Sequence, residues 1–443
     1  MKHNYQNLPL KDKHLPLKNN VKRFDFVRKV KKSNAFYRWL KHLVAKIVMK
    51  KYHSQWSVSK DVKSSQLKSP YLVLSTHMSF IDMPMLVSAL PDADFNIVCA
   101  IDGFKDFPEW LLRNVGCIGK RKFVNDLNLV RNLSYSAQNY PECSIAVYPE
   151  AKYSIDGCTS FLPDTLGKLA KFLDIPIVVV ICHGDYISDP QWRHQPIVCK
   201  TNTEVKVIVD QEEIKTLSAG QIQQRIIKGF QYDEFKWWKD QQIKVDLPTR
   251  ADGLHRILYQ CPNCKKEFLM SSHNNVLHCD NCNKEWLMDE YGQLKATTGT
   301  TEFCHIPDWF NWQKENIKKE IASGKYYFED KVRVRTLPNS KRFYNHGEGT
   351  LVHSKDGFKL VCEAYNEPTT IVWEPINTDG CHIEYNYKGE ADAIDLSIHE
   401  DSYWLYPLTA RNVVTKISLA TDEFFRLASE KLKAEHALQA VTI

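Results

Sequence analysis

Tyr71-Leu72-Val73-Leu74-Ser75-Thr76-His77-Met78-Ser79-Phe80-Ile81-Asp82 begins as a short apolar run and ends on a histidine with an aspartate five positions on. Short, continuous runs of this kind read as strands buried on both faces of a parallel sheet. A second run, Ser144-Ile145-Ala146-Val147-Tyr148, leads directly into Pro149-Glu150-Ala151-Lys152-Tyr153-Ser154. Ligands of open α/β sheets bind just beyond the carboxyl ends of the strands. Two such ends can therefore bring His77, Asp82 and Glu150 to one crevice although they are far apart in sequence. With 16 histidines in 443 residues, one His-x4-Asp spacing also arises by accident. A surface histidine beside a helix-capping aspartate is the plain alternative.

Further blocks follow in order. Val115-Gly116-Cys117-Ile118-Gly119-Lys120-Arg121-Lys122-Phe123 places basic residues after a glycine-containing apolar stretch, and Ile175-Pro176-Ile177-Val178-Val179-Val180-Ile181 is an apolar run with an early proline. Together with Thr76–Asp82 and Tyr148–Ser154, these blocks resemble the phospholipid/glycerol acyltransferase family, the PlsC-like lysophosphatidate acyltransferases. The likeness covers about residues 65–245 and departs from the family pattern at Thr76 (Asn there), Ala151 (Gly) and Tyr153 (Arg). It implies an α/β domain with a mixed, mainly parallel sheet. It also implies transfer of a fatty acyl group from acyl-CoA or acyl carrier protein to a lysophospholipid hydroxyl in phospholipid biosynthesis, with 1-acylglycerol 3-phosphate as the leading acceptor. Another lysolipid or alcohol acceptor, or a non-catalytic lipid- or nucleic-acid-binding adaptor, are the other readings.

The residues suit that chemistry. An alcohol is a poor nucleophile until a base removes its proton during attack. His77 can be that base, with Asp82 fixing its tautomer and stabilising the imidazolium, as in a serine-protease triad without the serine. A helix starting just after His77 would direct backbone N–H groups at the developing oxyanion. A phosphate on the acceptor calls for fixed positive charge. Lys120, Arg121, Lys122 and Lys152 are the candidates, Arg121 foremost because its planar fork binds phosphate bidentately; a solvated basic turn is the alternative. By resemblance Glu150 positions the acceptor. Ser79 and Ser154 are either substrate-side hydroxyls or helix caps.

Cys261-x2-Cys264 and Cys279-x2-Cys282 are two knuckles of the spacing that supplies four thiolates to a tetrahedral zinc, a zinc ribbon. Four thiolates leave no open coordination position, so the expected zinc is structural rather than catalytic.

Charge is unevenly distributed. Residues 1–60 hold 16 Lys and Arg against two Asp, whereas the remainder holds 43 Lys and Arg against 51 acidic residues. Within this basic arm Phe36, Trp39, Leu40, Leu43, Val44, Ile47 and Val48 recur at helical spacing among Arg38, Lys41, Lys46, Lys50 and Lys51. Such a helix suits the interface of an anionic membrane, or a place on the catalytic domain with its lysines solvated. No base-reading element accompanies the arm, so nucleic acid is not an expected partner. No run approaches the ~20 apolar residues of a spanning helix. There is no apolar signal core, and 13 scattered cysteines suit a reducing compartment. The expectation is a cytoplasmic protein, peripheral on the cytosolic membrane face.

The organisation expected is a basic arm with its helix (1–60), the acyltransferase domain (61–245), the zinc-ribbon module (246–300) and a connecting helix (301–324). A mainly-β domain with a C-terminal helix (325–443) follows, its strand pattern PH-like. Strands are expected at Thr203–Asp210, Lys331–Arg335, Gly349–Val352, Gly357–Val361, Thr370–Trp373, Cys381–Tyr387 and Ser402–Pro407, and helices at Ser218–Gln241 and Thr421–Leu438.

Overall fold

The computed structural model describes residues 10–65, 68–105, 107–193, 195–387 and 389–441; residues 1–9 of the basic arm lie outside the described residues. Among the described residues the chain is mixed α/β and builds three sheets in succession.

The first sheet holds β1 (His53–Lys60), β2 (Leu72–Ser75), β3 (Phe95–Ala100), β4 (Cys117–Lys120), β5 (Ser144–Val147), β6 (Ile177–His183) and β7 (Cys199–Val209), in the order β1-β7-β6-β2-β5-β3-β4. All its pairs are parallel except β6 with β7. The two runs that end at His77 and Glu150 lie side by side, Leu72 opposite Ile145 and Leu74 opposite Val147. Their side chains are buried because apolar clusters pack on both faces. Leu72, Leu74, Ile177 and Val179 face one cluster, and Val73, Val178 and Val180 the other. That two-sided burial is why these strands carry no alternation.

The second sheet is a four-stranded antiparallel ribbon, β8 (Met270–His273), β9 (Val276–Cys279), β10 (Glu285–Met288) and β11 (Leu294–Ala296). It leans on the helix Ile306–Ala322, where Trp309 donates its indole N–H to the Gln260 carbonyl at 2.9 Å and stacks edge-on to Trp286.

The third sheet comprises β12 (Phe328–Thr336), β13 (Tyr344–Ser354), β14 (Gly357–Ala364), β15 (Glu367–Trp373), β16 (His382–Tyr387), β17 (Ala391–Ser397) and β18 (Ser402–Pro407), antiparallel throughout in the order β15-β14-β13-β12-β18-β17-β16. The helix Val414–Val441 follows it. β17 escapes a sequence reading because every residue of Ala391-Asp392-Ala393-Ile394-Asp395-Leu396-Ser397 is buried, acidic ones included. The helix expected over Ser218–Gln241 is two, Ala219–Gly229 and Glu234–Asp240. Asp233 caps the second by accepting from the Lys236 amide at 2.8 Å, so the break is a local capping choice.

The basic arm is not free. Residues 10–33 lie against the body and the third sheet. Phe24 donates its amide to the Pro338 carbonyl, Asp12 pairs with Asn345, and Phe24 packs with Phe104 and Trp404 in one cluster. The helix Ala35–Tyr52 buries Lys41, Ala45 and Met49, four residues apart. Lys41 meets Asp94 at 3.3 Å inside the protein. Phe36, Trp39, Leu43, Val44 and Ile47 face outward, Trp39 at 58 % and Ile47 at 61 % exposure. No described helix is long and apolar enough to cross a membrane.

Candidate active site and metal centre

His77 stands two residues beyond β2, and its Nδ1 lies 2.6 Å from Oδ2 of Asp82. Asp82 is the first residue of the helix Asp82–Ala89 and is 2 % exposed, whereas the His77 side chain is 22 % exposed. The helix therefore begins at the aspartate itself, with the turn 78–81 between the two. Burial pushes the Asp82 carboxyl above the usual carboxylate range; His77 and the Tyr148 hydroxyl pull the other way. A carboxylate so placed accepts the Nδ1 proton, which makes the neighbouring Nε2 the ring's proton acceptor.

Glu150, at the end of the adjacent strand, fixes the histidine's backbone. One carboxylate oxygen accepts the His77 amide at 3.0 Å and the other accepts the Ser160 amide at 2.6 Å. Burial raises its pKa to about 7. Ser154 returns the favour from the same loop: its amide donates to the His77 carbonyl at 2.8 Å and its hydroxyl to the Cys158 carbonyl at 2.6 Å. Ser79 accepts the Ile81 amide, shaping the turn. Thr76 accepts the Cys182 amide at 3.0 Å and ties β2 to β6 beyond the last strand pair. Glu150, Ser154 and Ser79 thus act on the protein's own backbone. Ala151, where the resembled family has glycine, is held in the left-handed region at φ 56°, a conformation glycine adopts at less cost.

Two aromatic rings flank the imidazole, with Tyr148 at 4.5 Å and Tyr153 at 4.2 Å between centroids. Tyr153 reaches on toward His382 of the third sheet, at 6.5 Å. These two tyrosines and His382 were not among the site residues expected from sequence. Tyr153 stood out only as a departure from a pattern, and His382 carries no local signal.

Arg121 was expected to hold a phosphate. Its guanidinium instead donates to the carbonyls of Leu337, Pro338, His399 and Glu400 and to the Ser402 hydroxyl, and the residue is 3 % exposed. The fork that suits phosphate suits converging carbonyls equally well, and here it joins the body to the third sheet. Lys152 meets both carboxylate oxygens of Asp422 at 2.8 Å. Lys120 is half-buried; desolvation lowers the pKa of its amine, and the charge of Asp379 opposes the shift.

The four ribbon cysteines converge, their sulfurs all within 4.8 Å of one another. Cys261 and Cys282 are 3.8 Å apart and Cys264 and Cys279 3.7 Å apart, close to the edge of roughly 3.8 Å that a tetrahedron of ~2.3 Å zinc–sulfur bonds requires. The two knuckles share one local form. Lys265 and Asn283, each four residues after the first cysteine, adopt positive φ and donate their amides to the carbonyls of Cys261 and Cys279. The residues present fit a structural metal that takes four thiolates.

No protein-family model matches this chain, and no curated protein matches it. Among solved structures it is similar to the crystal structure of the 1-acyl-sn-glycerophosphate (LPA) acyltransferase, PlsC, from Thermotoga maritima, at 16 % identity and a TM-score of 0.37 over 44 % of this chain and 76 % of that one. A likeness so slight adds no weight to the geometry of the site.

Proposed function

We propose that this protein is an O-acyltransferase that moves an acyl group from a thioester donor, acyl-CoA or acyl carrier protein, to a lipid-like hydroxyl. The observation that supports this best is the His77–Asp82 pair at 2.6 Å, at the mouth of a parallel sheet and with the imidazole partly open to solvent. In the reaction, Nε2 of His77 takes the hydroxyl proton as the oxygen attacks the thioester carbonyl. Asp82 stabilises the imidazolium. The tetrahedral intermediate collapses, the carbon–sulfur bond breaks, and the departing thiolate recovers the proton from His77. No covalent acyl-enzyme forms, so no nucleophilic serine or cysteine is needed. Glu150 and Ser154 keep the histidine's backbone in register from the neighbouring strand end.

The substrates of such a reaction reside in membranes, and the outward face of Ala35–Tyr52 offers a means of reaching them. Phe36, Trp39, Leu43 and Ile47 are exposed, with Arg38, Lys46, Lys50 and Lys51 exposed around them. Apolar residues flanked by cations favour the interface of an anionic bilayer. The Cys261–Cys282 cluster would hold zinc as a structural clamp. The expected acceptor, 1-acylglycerol 3-phosphate, asks for a cation, and Arg121, Lys122 and Lys152 are each held by partners within the protein.

Incubation of the purified protein with labelled acyl-CoA and lipid alcohols tests the proposal. Acylated product in the wild type and none in His77→Ala is the expected result; equal product from both sinks it.

A further inference from the structure

A phosphomonoester is recognised by cations that can turn to it and give charge-assisted hydrogen bonds. Three of the four cations expected to do so are already committed. Lys152 is bound by Asp422 of the C-terminal helix, and Lys122 by Asp102 at 2.7 Å with Asp395 of β17 at 3.9 Å. Arg121 gives its donors to the third sheet, which leaves the half-buried Lys120 outside these pairings. The rings that do lie against His77 are those of Tyr148 and Tyr153, uncharged and aromatic. The carboxylates nearest the base, Asp82 and Glu150, would repel an anion.

We infer that the acceptor carries its hydroxyl on an uncharged, lipid-like body without a phosphomonoester, a narrowing of substrate that rests on the acyl-transfer reading of His77 and Asp82. The pairings are not a detachable latch. Phe104 and Cys117 of the body share a buried cluster with Leu337, Phe343 and Trp404. Met78 and Ile155 share another with Ile383 and Ile417. Exposing the cations would mean opening both clusters, at the cost of the apolar area they bury. The C-terminal partners therefore act as a lasting part of the fold, selecting against phosphate by occupying Arg121, Lys122 and Lys152.

The test uses a matched pair of acceptors, a 1-acylglycerol and its 3-phosphate, with labelled acyl-CoA and the full chain. The expected outcome is a kcat/KM for the neutral acceptor about tenfold or more above that for the phosphate, the worth of one charge-assisted contact. A phosphate acceptor used equally well or better overturns the inference and leaves acyl transfer standing. No transfer to either, nor to a long-chain alcohol, overturns the acyl-transfer reading and the inference together. Asp422→Asn supplies the second arm, because it unpairs the Lys152 ammonium. The expected result is a shift of the ratio toward the phosphate acceptor by about threefold or more; an unmoved ratio rejects the neutralisation of Lys152 as a source of the preference.

Discussion

His77 and Asp82 meet at 2.6 Å although the turn between them forms no regular element, because the aspartate opens the next helix and the histidine stands two residues past the preceding strand. The buried carboxylate is held above its ordinary pKa chiefly by desolvation, so its presence costs stability that its role in orienting the imidazole would justify. In Asp82→Asn the ring loses the partner that fixes its tautomer. We expect kcat to fall about 10²–10⁴-fold while the melting temperature holds or rises. Steady-state kinetics beside calorimetry on the same preparation checks both halves.

Glu150 makes a pH prediction. Its folded pKa, about 7, lies above its ordinary value of 4.5, so the folded state binds its proton more tightly than the unfolded one. Between those two values the folded state therefore carries more protons, and this group makes stability decline as pH rises. The contribution is fully favourable below 4.5 and is lost through pH 7. In Glu150→Gln that part of the slope should vanish, and kcat should drop because one amide anchor of the His77 loop is weakened. Denaturant melts from pH 4.5 to 8 in the two proteins measure it; an unchanged slope would count against the assigned environment.

Arg121 is a structural clamp. Replacing it with methionine leaves four carbonyls and a hydroxyl without their donor. A loss of about 3–5 kcal/mol is expected, the usual cost of stripping one partner from a buried charged network. Lysine should rescue little of it, since one ammonium cannot span donors arranged as a fork. Equilibrium unfolding of both variants decides.

The cysteine cluster predicts about one zinc per chain by elemental analysis. Cys261→Ser should lose the metal. Because Cys261 and Cys279 sit in the same buried cluster as Trp286, Trp309 and Ile417, it should also expose tryptophan to solvent. Fluorescence after chelation reads the second effect; a metal-free protein with unshifted emission contradicts it.

The outward face of the N-terminal helix predicts membrane affinity. Trp39→Glu with Ile47→Glu should reduce co-sedimentation with anionic vesicles about tenfold or more, with little change in stability, since both side chains are more than half exposed. Undiminished binding removes this helix from the membrane argument.

The meeting of His77, Asp82 and Glu150 was legible because all three follow two unalternating apolar runs, and parallel pairing delivers such ends to one edge. The cysteine cluster was legible because two Cys-x2-Cys knuckles are the spacing that brings four sulfurs within reach of one ion. What the sequence concealed was long-range. Nothing near Arg121 says that five acceptors more than 200 residues away will claim it, nor that Asp422 will find Lys152. Cations written as solvated or phosphate-binding from local pattern turned out to be partners of a domain that folds back over them. β17 was hidden for the same reason, since Asp395 is buried where Lys122 and Arg121 stand nearby. The arm's apolar stripe was seen, but which face packs inward depended on Asp94, a partner for Lys41 beyond local periodicity.

The most direct measurement is single-turnover acyl transfer by His77→Ala and His77→Gln, each folded as shown by its melting temperature and zinc content. The account predicts loss of product by about 10²-fold or more in both, because neither side chain can take the acceptor's proton. Turnover at the wild-type rate in either variant, with the fold intact, would contradict it.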